Sequence, residues 1–346
     1  MKQWTSWLVL FLALCGVPES WAANPGSWEY FVDHFVTPEG RVVDIFQDKI
    51  SHSEGQGYGM LLAVTHKDEA TFELLWQWTQ SHLQVRRSDA LSVWSWGKRP
   101  TGELAPIDFN NASDGDIYIA WALLLAHERW NRPDYNEQAT RIIRSIRRFL
   151  LLERYGYTML LPGYYGFVDK ESVTLNPSYW VLPAFQLFAR FDDRLLWQRV
   201  HDEALRLLRD GSGEGLQLIP DWLQLNRDGV TIHPEKPPLF GYEAIRVVLF
   251  LTWDDKLATM PAVGQLLDRI EQSGQIPRFI DLKTGVSAKE EGSAGFYAVM
   301  ARAATALKRN DLAELLWQKA REKVSYEKDD YYSQVLYLLA RMGVTP

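Results

Sequence analysis

Apolar positions recur along this chain with a helical period, in two alternating styles. Over 137–152, Ala139, Ile142, Ile143, Ile146, Phe149 and Leu150 follow i, i+3, i+4 spacing, and polar residues, mostly Arg, fill the gaps. That spacing marks a helix with one buried stripe. The stretch 113–127 differs, because past its first turn it reads DIYIAWALLLAH and has almost no polar face. The same holds for 178–190 (SYWVLPAFQLFAR) and 242–253 (YEAIRVVLFLTW), and helices apolar all round are buried ones. The two styles alternate through six pairs: 27–36 with 54–66, 68–82 with 113–127, 133–152 with 178–190, 193–210 with 242–253, 257–273 with 292–307, and 309–324 with 329–343. The pattern predicts an all-α (α/α)6 barrel, six inner helices within six outer ones. The repeat is one of pattern only, without evident identity between units. Pro183 should kink the third inner helix or shift its start.

The segments that join outer to inner helices are long. Residues 83–112 and 211–241 are rich in Gly, Pro, Asp and Trp, and long irregular loops in a compact domain are usually functional. Short strands are expected around 157–168 and 216–232. No Pro/Gly/Ser-rich linker follows residue 26, so 23–346 reads as one domain. Residues 1–22 read as a cleaved secretory signal: Lys2, an apolar run at 7–15, then small residues at Ser20 and Ala22. That run is too short to span a bilayer. The only cysteine, Cys15, falls inside it. A lipoprotein reading of LALCG is disfavoured by the bulky Leu14. The mature chain then lacks thiols and disulfides, and a periplasmic or secreted location follows, with no stable membrane insertion. A net charge of −7 argues against a nucleic-acid partner. Seven histidines show no HExxH and no paired ligand spacing, so no metal site is expected. Most of the fifteen tryptophans are expected in the core, and any excess over core needs would suit the faces of sugar rings.

Carboxylates and aromatics cluster where the buried helices begin. Glu54 lies in SEGQGYGM, with Ser53 as a candidate N-cap and three glycines that suggest close approach of a backbone or ligand. Its other reading is a first-turn acid favoured by the helix dipole. Asp114 and Asp116 lie in ASDGD, where Ser113 and Asp116 also have capping-box spacing. Glu243 stands three residues before Arg246, so the two share a face of an apolar helix, and a buried ion pair without a task is costly. Tyr179 in NPSYW and Trp222 in IPDWLQ are either core or cleft, and Asp221 either makes a turn or serves as a reserve carboxylate. Trp94 and Trp96 alternate, so in an extended segment one is core and the other lines a cleft.

Together these motifs resemble glycoside hydrolase family 8. Residues 112–130, ASDGDIYIAWALLLAHERW, are similar to that family's signature along their whole length, and SEGQGYGM, NPSY, PDW and the Y-[DE]-A-I-R element appear in the family's order. The resemblance spans roughly 27–343. MLLPG at 159–163 points toward members that accompany bacterial cellulose synthase, so that machinery is an expected partner. The resemblance implies an inverting hydrolase of β-1,4-linked glucan that needs no cofactor. Glu54 resembles the general acid and Asp116 the carboxylate that stabilises the distorted sugar. Tyr179 resembles the residue that helps hold the attacking water, and Arg246 the arginine beside the base. Trp96, Asp114 and Trp222 are further expected substrate contacts. Position 243 should be the general base, where close relatives carry Asp and this chain carries Glu243, one methylene longer. An acid with a raised pKa and an ionised base are required. Two alternatives stand beside this expectation: hydrolysis of another β-1,4 glycan such as chitosan, xylan or mixed-linkage glucan, and a non-catalytic glycan-binding subunit.

Overall fold

A computed structural model of the chain describes residues 23–212 and 215–343; the expected leader and Cys15 lie outside them. The described residues contain twelve α-helices: α1 Trp28–Phe35, α2 Ser53–His66, α3 Glu69–His82, α4 Ser113–Trp130, α5 Pro133–Phe149, α6 Leu182–Phe191, α7 Arg194–Gly211, α8 Ala244–Trp253, α9 Pro261–Ser273, α10 Ala294–Ala306, α11 Asn310–Tyr326 and α12 Tyr331–Arg341. The even-numbered helices touch in ring order, α2 to α4, α6, α8, α10, α12 and back to α2. The odd-numbered helices pack outside them. The arrangement is an (α/α)6 barrel, and the two hydrophobic styles predict which helices are inner. Every residue of α8 is buried, whereas α5 buries one stripe formed by Tyr135, Ala139, Ile142, Ile143, Ser145 and Ile146.

Helix boundaries follow local chemistry. Ser27, Asp68, Asp193 and Asp330 cap their helices by accepting from the backbone N–H of Tyr30, Thr71, Leu196 and Ser333. Pro133 and Pro261 sit in first turns, where the missing N–H costs nothing. Pro183 shifts the start of α6: residues 177–179 form a separate 3₁₀ turn, and the helix begins at Leu182. α5 stops at Phe149 rather than 152, because β4 Leu151–Arg154 pairs with β5 Tyr157–Leu160. In the long loops, β2 Ser95–Lys98 and β3 Leu104–Asp108 join the two-residue β1 Ser51–His52. β6 Val173–Leu175 pairs with β7 Leu223–Asn226 and β8 Gly229–Ile232, and β9 Leu239–Phe240 with β10 Ile280–Asp281.

The glycines of SEGQGYGM serve backbone approach. A Cβ on Gly57 would stand 2.5 Å from Tyr118 Cβ, and one on Gly115 would meet Ser53 Oγ and lie 2.7 Å from Glu54 N. Two glycines, one on each helix, therefore let the first turns of α2 and α4 touch, which brings Glu54 beside Asp114. His52, not Ser53, caps α2: its Nδ1 accepts from Gly55 N at 3.0 Å. Neither Ser113 nor Asp116 caps α4, so the capping-box spacing goes unused. Since the contact is backbone on backbone, Gly115→Ala should lower stability by about 2–3 kcal/mol. Thermal or denaturant unfolding checks this, and an unchanged midpoint would show that the two turns have room to part.

Candidate active site

The inner helices begin at one end of the barrel, and a cavity of about 560 Å³ opens there, within the range of small-molecule sites. Glu54, Tyr179, Glu243 and Arg246 line it, with Trp94, Tyr242 and Tyr332 on its walls. Arg246, on the first turn of α8, is 3% exposed at its side chain. Its Nη1 lies 3.1 Å from Glu54 Oε1 and 3.1 Å from Asp114 Oδ2, and donates to Tyr58 OH at 2.9 Å. Its Nη2 donates to Ser178 Oγ at 2.8 Å and pairs with Glu243 Oε2. Tyr179 lays its ring 5.9 Å from the same guanidinium. Three carboxylates from α2, α4 and the entry to α8 thus share one cation.

Glu243 is anchored on one side only. Asn176 Nδ2 and Ser178 Oγ reach its Oε2 at 3.2 and 2.7 Å, alongside Arg246. No donor among the described residues reaches Oε1. Asp221 fixes the backbone beneath: its Oδ1 accepts from Gly241 N at 3.0 Å and Ala244 N at 2.8 Å, on either side of Glu243. Burial pushes the Asp221 carboxyl up to about 6, and the charge of Glu243 adds to the rise.

The expected raised carboxyl is not Glu54. Burial pushes Glu54 up, but the Arg246 guanidinium, His52 and hydrogen bonds from Tyr58 and Asp114 outweigh it, and the carboxyl lies below its ordinary value. Burial pushes Asp114 well above the carboxylate range, and the charge of Glu54 pushes it further. The proton of the cluster therefore sits on Asp114, hydrogen-bonded to Glu54.

Three expected contacts move, and a fourth, Asp114, is wholly buried behind the cavity lining, where it meets Arg246 in place of a ligand. Asp116 does not face the cavity, because residues two apart on a helix point about 200° apart and Asp114 takes the direction of Arg246 beneath the cavity floor. Asp116 turns into the protein and accepts from Ser92 N at 2.7 Å and Asn111 Nδ2 at 2.9 Å. Trp96 is core: it packs edge-on to Trp78, with Arg41 4.7 Å from its ring centroid. Its alternate neighbour Trp94 takes the cavity wall. Trp222 stands outside the cavity, half-buried, with Lys236 Nζ 4.1 Å from its ring centroid. Asn176 and Ser178 are site residues that periodicity could not single out, although both lie in the NPSY motif beside Tyr179. Among the described residues, no group of three or more His, Cys, Asp or Glu side chains converges as metal ligands would.

A family model for glycosyl hydrolases family 8 matches residues 1–345. The chain is 39% identical to a probable endoglucanase of Novacetimonas hansenii, over 79% of this chain and 80% of that protein. It is 32% identical to an endoglucanase of Escherichia coli (strain K12), over 99% of this chain and 93% of the relative. Among solved structures, the endo-beta-1,4-glucanase CMCax from Acetobacter xylinum superposes with a TM-score of 0.79 at 33% identity, covering 91% of this chain and 95% of that one.

Burial pushes the Asp116 carboxyl up to about 7, against the hydrogen bonds from Ser92 and Asn111. A folded-state pKa above the unfolded one means that this group's stabilising effect is complete at acid pH and is lost as pH rises through about 7. Between about pH 4 and pH 8 the stability of Asp116→Asn relative to wild type should rise by on the order of 3 kcal/mol. Urea titrations at the two pH values measure it, and a constant difference would place the Asp116 pKa back in the ordinary range.

Proposed function

The chain belongs to glycosyl hydrolase family 8, and on that premise we propose that it is an endo-acting, inverting hydrolase of β-1,4-glucan. The observation that carries the reading is the sharing of Arg246 by Glu54 and Glu243, two carboxylates 189 positions apart in sequence, at the floor of an open cavity. One guanidinium spanning both limits their nearest oxygens to roughly 8 Å apart, compatible with the lower part of the about 6.5–9.5 Å that inverting enzymes use to fit a water. The relatives' names, endoglucanase and endo-beta-1,4-glucanase, support a glucan substrate over chitosan or xylan.

In this reading the proton held on Asp114 crosses to Glu54, which delivers it to the glycosidic oxygen as the C1–O bond breaks. A water attacks C1 from the opposite face and gives its proton to Glu243 through the untethered Oε1. The charge that this transfer leaves on Asp114 is matched by Arg246. Tyr179 bounds the space for the water beside Glu243. Burial holds its phenol well above its usual pKa, so it stays neutral and able to donate. Every carboxylate begins an inner helix, where the dipole favours negative charge.

Glu54→Gln and Glu243→Gln should each lower kcat on soluble β-1,4-glucan by about 10²–10⁴-fold while retaining oligosaccharide binding, whereas Glu243→Asp retains turnover. Near-wild-type rates in either Gln variant would move that role elsewhere. Proton NMR of the first products should show the inverted anomer, and a retained anomer would rule out direct attack by water.

The setting is inferred from residues 1–22. Their signal-like pattern supports export to the periplasm, where a glucan chain leaving cellulose synthase is the substrate at hand. Among the described residues no helix is long and apolar enough to cross a membrane. Expressed whole in a Gram-negative host, the protein should appear in the osmotic-shock fraction with Ala23 as its first residue. Recovery with residues 1–22 intact would overturn the export reading.

A further inference from the structure

Both carboxylates of the proposed mechanism sit in a backbone that is bonded on either side of them. For Glu243 the acceptor is Asp221, which takes Gly241 N and Ala244 N. For Glu54 the neighbours are Ser53 N, which donates to the Trp94 carbonyl at 3.0 Å, and Gly55 N, which donates to His52 Nδ1 at 3.0 Å. An imidazole is an unusual cap, since Ser, Thr, Asp and Asn are the preferred ones. It accepts only through a nitrogen that carries no proton. The bond to Gly55 therefore assigns the ring its tautomer, with Nδ1 bare and Nε2 protonated.

The surroundings of the ring agree with that tautomer. Nε2 faces Asp44 Oδ2 at 3.7 Å. Burial pushes the Asp44 carboxyl up, but His52 and the amides of Phe46 and Gln47 outweigh it, and the group lies below its ordinary value. It is thus ionised and turns an acceptor toward the Nε2 proton. Asp44 is fixed in that position: its Oδ1 accepts from Phe46 N at 3.0 Å and Gln47 N at 3.2 Å, and its Oδ2 from Gln47 Nε2 at 2.9 Å. The ring is clamped as well. Tyr331 stands edge-on to it at 5.6 Å, and a Cβ on Gly55 would come within 3.2 Å of its Nδ1 and Cε1. The titratable groups that share the cavity with His52 on this side are Asp44 from the loop before β1, Glu54 from α2, and Asp330, Tyr331 and Tyr332 from the start of α12. Of the nearby cations, Arg41 donates to Ser51 Oγ and lies over the Trp96 ring, and Arg246 pairs with Glu54.

We propose that His52 is a positioning residue for the general acid and acts only as the neutral ring: its bare Nδ1 holds Gly55 N, and with it the turn that presents Glu54 to the glycosidic oxygen. A proton on Nδ1 would set an N–H against an N–H and release that turn. The cation so formed would also hold Glu54 ionised, less able to keep the proton that Asp114 passes to it. Acidification, which loads other groups with protons, thus works against proton delivery at this one residue. The inference rests on the function proposed above, in which Glu54 is the acid.

The test follows kcat on soluble β-1,4-glucan from about pH 8 to about pH 5, where imidazole changes charge, in full-length wild type, His52→Asn and His52→Ala. Asn keeps a capping acceptor that does not titrate, and Ala removes it. The ratio of wild-type kcat to that of His52→Asn should fall roughly fivefold between the two limits, and groups that titrate in both proteins cancel from it. His52→Ala should lie roughly five- to tenfold below His52→Asn in kcat at every pH, with KM unchanged. Nitrogen NMR of histidine-labelled enzyme at about pH 8 should show a ring with bare Nδ1 and protonated Nε2 that is missing from His52→Asn. A constant ratio of wild type to His52→Asn, equal kcat in the Asn and Ala variants, or a ring protonated on Nδ1 overturns the inference. Should His52→Ala fail to fold, the ratio and the ring signal decide. Failure of the hydrolase reading is seen separately, in wild type that cleaves no glucan at any pH, and it removes the acid that His52 would position.

Discussion

One buried guanidinium organises this molecule. Arg246 faces Glu54 of α2, Asp114 of α4 and Glu243 just before α8, and it also donates to Tyr58 and Ser178. A charge taken out of water must be matched closely or it destabilises the fold. Removing one member of such a buried set costs about 3–5 kcal/mol, because the others are left uncompensated. That requirement draws the first turns of α2, α4 and α8 together. Gly57 and Gly115 let α2 and α4 come close enough to meet it. Three carboxylates around one cation leave an excess of negative charge, so the cluster retains a proton, and it retains it on Asp114, which lies deepest. Proton storage next to a carboxylate at the cavity surface follows from charge balance and needs no additional device.

The barrel makes this arrangement accessible. Its inner helices all begin at one end, so their unsatisfied N–H groups and positive dipole ends converge there. An acid on any first inner turn is favoured, and several such acids crowd the same mouth. The outer helices contribute burial rather than chemistry. The short strands lie in the loops: β1, β2 and β3 form a wall beside α2, with Ser53 N bonded to the Trp94 carbonyl at 3.0 Å. That single backbone bond joins the helix bearing Glu54 to the loop bearing Trp94.

Periodicity made the architecture legible, since the contrast between one-striped and wholly apolar helices separates outer from inner without any knowledge of contacts. What it could not resolve was direction within a turn. Asp114 and Asp116 look equivalent in ASDGD, and only the register of α4 against α2 decides which faces Arg246. The same limit applies to Trp94 and Trp96, where alternation shows that the two diverge but not which side is core. The core side belongs to Trp96 because Trp78 and Arg41 are already there. Asn176 and Ser178 escaped notice for another reason: they act through a partner far along the chain, and no local spacing records that. β4 was hidden because Leu150, Leu151 and Leu152 extend the apolar run of α5, yet Leu151 pairs across a hairpin with Leu160.

Glu243 shows how a departure from its relatives is absorbed. A glutamate reaches one methylene farther than aspartate and has one more rotatable bond, so a loosely held Glu would sample positions that crowd the water it must activate. Here the backbone on both sides of it is bonded to Asp221, and one of its oxygens takes Asn176, Ser178 and Arg246. Asn176 and Ser178 can reach it because α6 does not begin where its apolar pattern begins. Pro183 delays the helix to Leu182, and the freed residues form a 3₁₀ turn in which Asn176 caps Ser178. A continuous helix from residue 178 would fix the Ser178 side chain by helical register in place of the 3₁₀ turn that now presents it to Glu243. The proline that interrupts the third inner helix is thus the structural reason a longer base can be held still.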